Sequence, residues 1–345
     1  MSEPFRIGIS DDFYTEAAGP LEHVLARKLS NVPGVEWEKL RTDGGKFVSA
    51  GSLKKYDAVF ALAAAIHEES LLGAERLAVV ARWGVGYDRI DVPALTRAGV
   101  ALTITPAAVR RPVAEAILTL IFALSKNLLA QDRVARAGGW RGELPKMGIS
   151  IGGRTLGSVG CGNIGQELFR VAGSLGFGRF LACDLNVPQE RVRQLGVEMV
   201  DMETLFRESD FVTVNTLLNA QTRGLVREEH FRLMKPSAFF INTARGPVVE
   251  HAGLVRALRE NWIAGAGIDV YPVEPPPKDD PLFGMDHVIV APHALAWTNE
   301  LMIDNGSEAC DAVLAVARGE IPNGVVNREV LDGAAFQAKL ARWRG

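Results

Sequence analysis

The chain has 345 residues, 48% of them hydrophobic and 23% charged, and 38 basic side chains set against 41 acidic ones leave a net charge of −3. That length and composition predict two domains of ordinary globular character, and the near balance of charge lacks the basic footprint of a nucleic-acid or anionic-membrane binder. Three scattered cysteines with no C-x-x-C pair exclude a disulfide framework and a structural zinc site of that type, so no metal is expected.

The opening MSEPFRIGIS has neither the basic nor the apolar region of a secretory leader, and a cytoplasmic location is expected. Short β-branched runs then alternate with helix-like segments, the pattern of an α/β chain with parallel sheets. Strands are predicted at Phe5–Ser10, Val35–Leu40, Asp57–Leu62, Leu77–Arg82 and Val100–Thr105. Helices are predicted within Glu16–Leu29 and over Pro93–Ala98, the second ended by Gly99. Pro112 sits where a helix can begin, and Val113–Leu129 is apolar on nearly every face. Such a helix is buried all round, in a core or in a subunit interface. Its most apolar run, Val113–Leu124, contains Glu115 and is about 12 residues long, where a membrane span needs about 20.

Residues 131–150, with Gly138, Gly139, Trp140 and Pro145, read as an extended excursion. A second α/β block follows, with strands at Thr155–Val159, Arg179–Cys183, Phe211–Asn215, Ala238–Asn242, Ala264–Ile268 and His287–Ala291. A long helix over Thr298–Ala317 stops at Gly319 with Pro322 beyond, and Phe336–Gly345 reads as a solvated or frayed helix. The apolar segment and the excursion together predict a homodimer formed mainly by the second block.

The sharpest local motif is Gly160-Cys-Gly162-Asn-Ile-Gly165, a G-x-G-x-x-G between a strand and a helix. Gly160 permits the tight turn, Gly162 lets the backbone approach a pyrophosphate, and Gly165 permits close helix–sheet packing. The next strand ends in Asp184, where an acid takes the adenosine ribose hydroxyls. No arginine follows it at Leu185 or Asn186, which favours NAD over NADP. A second constellation comprises Asn242-Thr-Ala-Arg-Gly246, Asp269 to Pro275 and Pro292-His293, each behind a strand and so at the sheet edge where ligands bind. Taken singly, Arg245 fits a surface ion pair, Glu274 a loop acid and His293 a cap or core histidine. Jointly, an arginine suits a carboxylate, and a histidine beside a glutamate suits proton exchange with an alcohol or carbonyl. His67-Glu-Glu lacks the second histidine of a zinc protease motif, and Tyr56, Trp83 and Trp262 read as packing residues.

In their order these motifs resemble the D-isomer-specific 2-hydroxyacid dehydrogenases, the family of glyoxylate/hydroxypyruvate reductases, phosphoglycerate dehydrogenases and D-lactate dehydrogenases, over residues 55–327. Arg82 to Asp91 is similar to the family's substrate loop, and Val113-Ala-Glu115 to the helix after its first hinge. The resemblance implies two doubly wound parallel-sheet α/β domains with a cleft between them. One is a flavodoxin-like substrate domain, residues 1–104 completed by 297–345; the other is a Rossmann NAD-binding domain, residues 105–296. Hinges are expected near Thr105 and Ala294–Thr298. The implied NAD ligands are Gly160, Gly162, Asn163, Ile164, Gly165, Asp184, Thr216, Leu217, Thr222, Thr243 and Ala244, with Asp269 on the nicotinamide carboxamide. The amides of Val85 and Gly86, with Arg245, would hold a 2-oxoacid, and His293 with Glu274 would be the acid/base pair that interconverts it with a D-2-hydroxyacid. A non-catalytic NAD(H)-sensing protein and a sugar-acid reductase are the alternatives on this fold.

The chain departs from the family at three places. Asn215-Thr-Leu-Leu-Asn219 has Leu217 where the family has proline, Trp297 follows four residues after His293, and Arg110-Arg111 stand paired at the hinge. The paired arginines read either as solvated charges or as a second anionic contact for the substrate.

Overall fold

Every strand pairing within the two sheets of the computed structural model is parallel; the model describes residues 3–44 and 46–344. The chain divides into two units, Met1–Val109 with Trp297–Gly345, and Arg110–Ala296.

In the first unit, β1 (Phe5–Ser10), β2 (Val35–Leu40), β3 (Ala58–Ala61), β4 (Val79–Arg82) and β5 (Ala101–Thr103) stand in the order β2-β1-β3-β4-β5. This is the flavodoxin-like order. β3 is buried along its whole length, as expected of a parallel strand covered on both faces. Helices Ala18–Lys28 and Asn299–Ala317 contribute to one core with the sheet, through Leu21, Val24, Met302, Val313 and Val316. Thr298 caps the second of these helices, accepting from the Leu301 amide.

The C-terminal tail is only partly solvated. Helix Ala334–Ala341 buries Phe336 and Leu340 in the same core, and Lys339 Nζ donates to the carbonyls of Leu77 (2.7 Å), Ala98 (2.6 Å) and Gly99 (3.1 Å). The sequence puts a lysine between two apolar residues; three inward carbonyls explain why it is buried.

In the second unit, β6 (Thr155–Val159), β7 (Arg179–Cys183), β8 (Val197–Met199), β9 (Phe211–Val214), β10 (Phe239–Asn242), β11 (Gly265–Ile268) and β12 (Val288–Val290) form a sheet ordered β12-β11-β10-β9-β6-β7-β8. The chain runs outward from β6 in one direction and returns to β9 on its other side. The carboxyl ends of β6 and β9 therefore flank the topological switch point, where such sheets bind ligands. β8 escapes the sequence pattern because it is three residues long and braced by a side chain. Gln189 accepts from the Met199 amide and donates to the Val197 carbonyl, both at 2.8 Å.

Three expectations for residues 106–150 need correction. The helix begins at Pro106, where a proline's fixed φ suits the first turn, and Pro112 lies inside it. It is not buried all round, since Arg111, Glu115, Thr119 and Phe122 form an exposed stripe at helical spacing. It ends at Ser125, Asn127 takes a left-handed φ of 51°, and a second helix, Leu128–Arg136, leaves at 59° to the first. The supposed excursion is thus helical as far as Arg136. No single helix among the described residues is long and apolar enough to cross a membrane.

Candidate active site

β6 delivers the chain into the glycine turn. Gly160 has φ 93°, its amide donates to the Cys183 carbonyl at 2.8 Å, and a Cβ there would lie 2.6 Å from the Asn215 carbonyl oxygen. At Gly165 a Cβ would lie 2.8 Å from the Gly160 oxygen, so packing demands both glycines. Gly162 differs, because a Cβ there would meet no described atom within 4 Å. It caps helix Asn163–Ala172, whose first amides no described side chain caps. An open space before an uncapped helix N-terminus suits a phosphate group.

Asp184 fixes the rim of this turn. Its carboxylate accepts from the amides of Cys161 (2.7 Å), Asn186 (2.8 Å) and Val187 (3.2 Å). On the other side of β6, Asn215 Nδ2 donates to Ser158 Oγ (2.8 Å) and Thr213 Oγ1 (3.0 Å), and Ser158 in turn donates to the Gly160 carbonyl. The loop after β9 carries Thr216, Leu217 and Thr222. Asn219 Oδ1 accepts from the Gln221 and Thr222 amides, and Thr222 Oγ1 donates to the Leu217 carbonyl at 2.5 Å. Hydrogen bonds of this turn thus restrain the loop where the family has a proline.

The ends of the adjacent strands β10, β11 and β12 carry the polar set. Asn242 shapes the first turn, accepting from the Ala244 amide (3.0 Å) and donating to the Arg245 carbonyl (3.1 Å). Arg245 Nη1 donates to the Ala244 carbonyl at 2.7 Å. Thr243 Oγ1 is buried and finds no hydrogen-bond partner among the described residues. Gly246 rests directly on the next strand end, since a Cβ there would come within 2.0 Å of the Tyr271 carbonyl carbon.

Asp269, buried one residue past β11, accepts from the Ala294 amide at 3.1 Å. Burial pushes its carboxyl up, against the opposing pull of His293 and nearby amides. Glu274 accepts from the Tyr271 amide through Oε1 (3.1 Å) and meets His293 Nδ1 through Oε2 at 2.8 Å. Burial alone would raise the Glu274 carboxyl. The hydrogen bond and charge of His293, the Tyr271 amide and the charge of Arg245 outweigh it, and the group titrates below the usual carboxylate range. His293 has φ 56°, a conformation histidine tolerates better than most side chains but which still needs support. With Nδ1 engaged by a carboxylate, Nε2 is the ring atom that can exchange a proton with a ligand.

Arg245, Asp269, Glu274 and His293 therefore belong to one edge of one sheet, with the glycine turn and Asp184 on the same edge. Val85 and Gly86 lie in the first unit, in the loop after β4, where Arg82 Nε donates to the Gly86 carbonyl at 2.9 Å. Arg111 pairs with Glu115 at 2.5 Å and lies 3.7 Å from Glu167, which also holds Arg170. Its charge is thus met by acids of the same unit. Sequence reasoning assigned no role to Tyr271, although it sits between Asp269 and Glu274 in a segment inspected for its acids.

Residues 118–294 match the family model described as D-isomer specific 2-hydroxyacid dehydrogenase, NAD binding domain. A glyoxylate reductase of Korarchaeum cryptofilum is 39% identical over 269 residues, covering 77% of this chain and 81% of the relative. One from Thermococcus litoralis is 36% identical over 275 residues, covering 78% and 82%. The crystal structure of a glyoxylate reductase from Paecilomyes thermophila matches 95% of this chain and 100% of its own, with a TM-score of 0.81 at 26% identity.

Proposed function

The chain belongs to the D-isomer-specific 2-hydroxyacid dehydrogenase family and is an NAD-dependent enzyme, and from this we propose that it reduces a small 2-oxoacid, glyoxylate first among them, to the 2-hydroxyacid, of D configuration where C2 of the product is chiral. One observation carries the reading: the 2.8 Å contact between Glu274 Oε2 and His293 Nδ1, which follow β11 and β12, with Arg245 following β10, the neighbour of β11.

The residues fit a dinucleotide. Gly162 opens onto unfilled space, the helix behind it lacks a side-chain cap, and the Thr243 hydroxyl is buried without a partner among the described residues. NADH bound there supplies a hydride to C2 of the substrate. The amides of Asn163 and Ile164 and the dipole of their helix hold its phosphates, Asp184 its ribose hydroxyls, and Asp269 its carboxamide. Thr216, Leu217, Thr222, Thr243 and Ala244 line the remaining contact. Arg245 binds the substrate carboxylate. His293 gives a proton from Nε2 to the forming alkoxide, while ionised Glu274 stabilises the imidazolium and holds the ring in place. Positive charge at Arg245 and His293 stabilises the negative oxygen as it develops.

A second part of the proposal is a homodimer built mainly from the second unit. Leu128, Trp140 and Met147 are 54%, 73% and 93% exposed, and Leu128 lines a groove with Leu124, Leu129, Pro145 and Ile289.

A panel of 2-oxoacids with NADH, followed by loss of nicotinamide absorbance, tests the activity. Turnover of glyoxylate or a close homologue is expected. Preference for longer polyhydroxy acids would favour a sugar-acid reductase, and NADH binding without turnover on any 2-oxoacid would favour a sensor.

A further inference from the structure

His293 needs its unusual backbone conformation to be held, and the end of β11 holds it at three points. The Ala291 amide donates to the Ile268 carbonyl at 2.9 Å, the Tyr271 hydroxyl donates to the Ala291 carbonyl at 3.0 Å, and the Ala294 amide donates to Asp269 at 3.1 Å. The left-handed residue is thus clamped on both sides, with Tyr271 on the amino side and Asp269 on the carboxyl side.

Tyr271 does more than clamp. Its own amide donates to Glu274 Oε1 at 3.1 Å, leaving Oε2 for His293, and its main chain is the surface on which Gly246, next to Arg245, rests. One residue therefore touches the supports of Arg245, Glu274 and His293 together. The side chain is 4% exposed, with its ring edge-on to Phe283 at 5.9 Å.

We propose that Tyr271 is a positioning residue for the proton-transfer pair, its hydroxyl setting the His293 loop against Glu274 through the Ala291 carbonyl. Burial pushes the phenol up to about 12, so it stays protonated and remains a donor across the working pH range. The inference rests on the assignment of His293 and Glu274 as that pair.

Tyr271→Phe removes the hydroxyl and keeps the ring, orphaning the Ala291 carbonyl. A drop of about tenfold in kcat is expected, the scale of one hydrogen bond lost from a part-buried acceptor. KM for glyoxylate and the Kd for NADH should stay within about twofold, because Tyr271 touches neither proposed binding group. The alkaline limb of the kcat profile should move to lower pH as the carboxylate–imidazole contact loosens.

A double-mutant cycle separates the two claims. In the His293→Ala background, Tyr271→Phe should cost less than about twofold, because its effect passes through the missing ring. An unchanged kcat and pH profile in Tyr271→Phe would overturn the proposal, as would an undiminished loss in the His293→Ala background, in either case leaving the acid assignment intact. Full activity in His293→Ala alone would instead refute that assignment, and the role of Tyr271 with it. Phe283→Leu controls for packing: it trims the ring's neighbour and should lower stability without moving the pH profile. A shift equal to that of Tyr271→Phe would also overturn the proposal.

Discussion

In the proposed mechanism Glu274 and His293 divide one function between a charge and a proton, and their substitution should separate the two. His293→Ala removes the proton donor, so kcat should fall on the order of 100-fold or more, with NADH affinity nearly unchanged by fluorescence titration. Glu274→Gln keeps the shape but loses the negative charge that now favours the imidazolium. The carboxyl titrates below its usual range, so in the native enzyme that charge is present throughout the neutral region. Without it a protonated ring has no counter-charge at Nδ1, and the alkaline limb of the reduction rate should shift downward. Wild-type turnover at every pH in both variants would show that another group moves the proton. Asp184 is assigned to cofactor choice: a carboxylate at the ribose repels a 2′-phosphate. NADH should exceed NADPH in kcat/KM by about tenfold, close to 1.4 kcal/mol. Joint Asp184→Ser and Leu185→Arg substitution should narrow that ratio, and equal use of both cofactors by the wild type would refute the assignment. Charged residues such as these were legible in the sequence because a buried or edge-placed charge needs a partner or a task. Tyr271 was not, because its hydroxyl meets a carbonyl 20 residues on, and no local pattern encodes that pairing.

Single elements were legible in proportion to their local signals. β6 and β7 match their predicted spans, and Gly99 and Gly319 stand just beyond the helix ends foreseen from their stop signals. Pro112 is a misleading start signal because the helix accommodates it in its second turn, and Pro106 occupies the first. The last helix was misjudged because three charges near a terminus suggest solvent. In the fold Lys339 is buried, and burial lowers its pKa from 10.5 to about 8. The sign of its effect follows. Below pH 8 the group is protonated in folded and unfolded chains alike, and the cost of burying its charge is constant. Between about pH 8 and 10.5 the unfolded chain binds more protons, so this residue's contribution to stability rises with pH. Relative to Lys339→Met, the wild type should gain up to roughly 3 kcal/mol over that interval, read from denaturant unfolding at its two ends. A difference independent of pH would show that the ammonium stays charged, fully compensated by its three carbonyls.

On the scale of the whole molecule, the alternation of strands and helices was enough to foresee two parallel sheets, because doubly covered strands read as unbroken apolar runs. The second sheet's order follows from one crossover at its centre, which places the glycine turn at the switch point without any knowledge of side chains. What alternation could not supply was β8, too short to carry a pattern. The exposed apolar residues of the second unit bear on assembly: Leu128, Leu129, Trp140 and Met147 stand where a lone chain would show them to water. Light scattering at micromolar concentration should give the mass of two chains, and a monomer would count decisively against the proposed dimer.

The first unit is assembled from both ends of the chain, and this sets the order in which it can be completed during synthesis. Strands β1 to β5 leave the ribosome before the second unit, but helix Asn299–Ala317 and the helix bearing Lys339 emerge only after the whole of it. Until then Val24, Phe60 and Trp83 lack the Met302, Val313 and Phe336 side chains that complete their core. The nascent chain therefore carries an uncovered apolar sheet through most of translation, while the segment folded in one uninterrupted piece is the later one. Vectorial synthesis ordinarily favours the earlier domain; here it favours the insert, and the strands of the first unit must wait for the helices that follow Ala296.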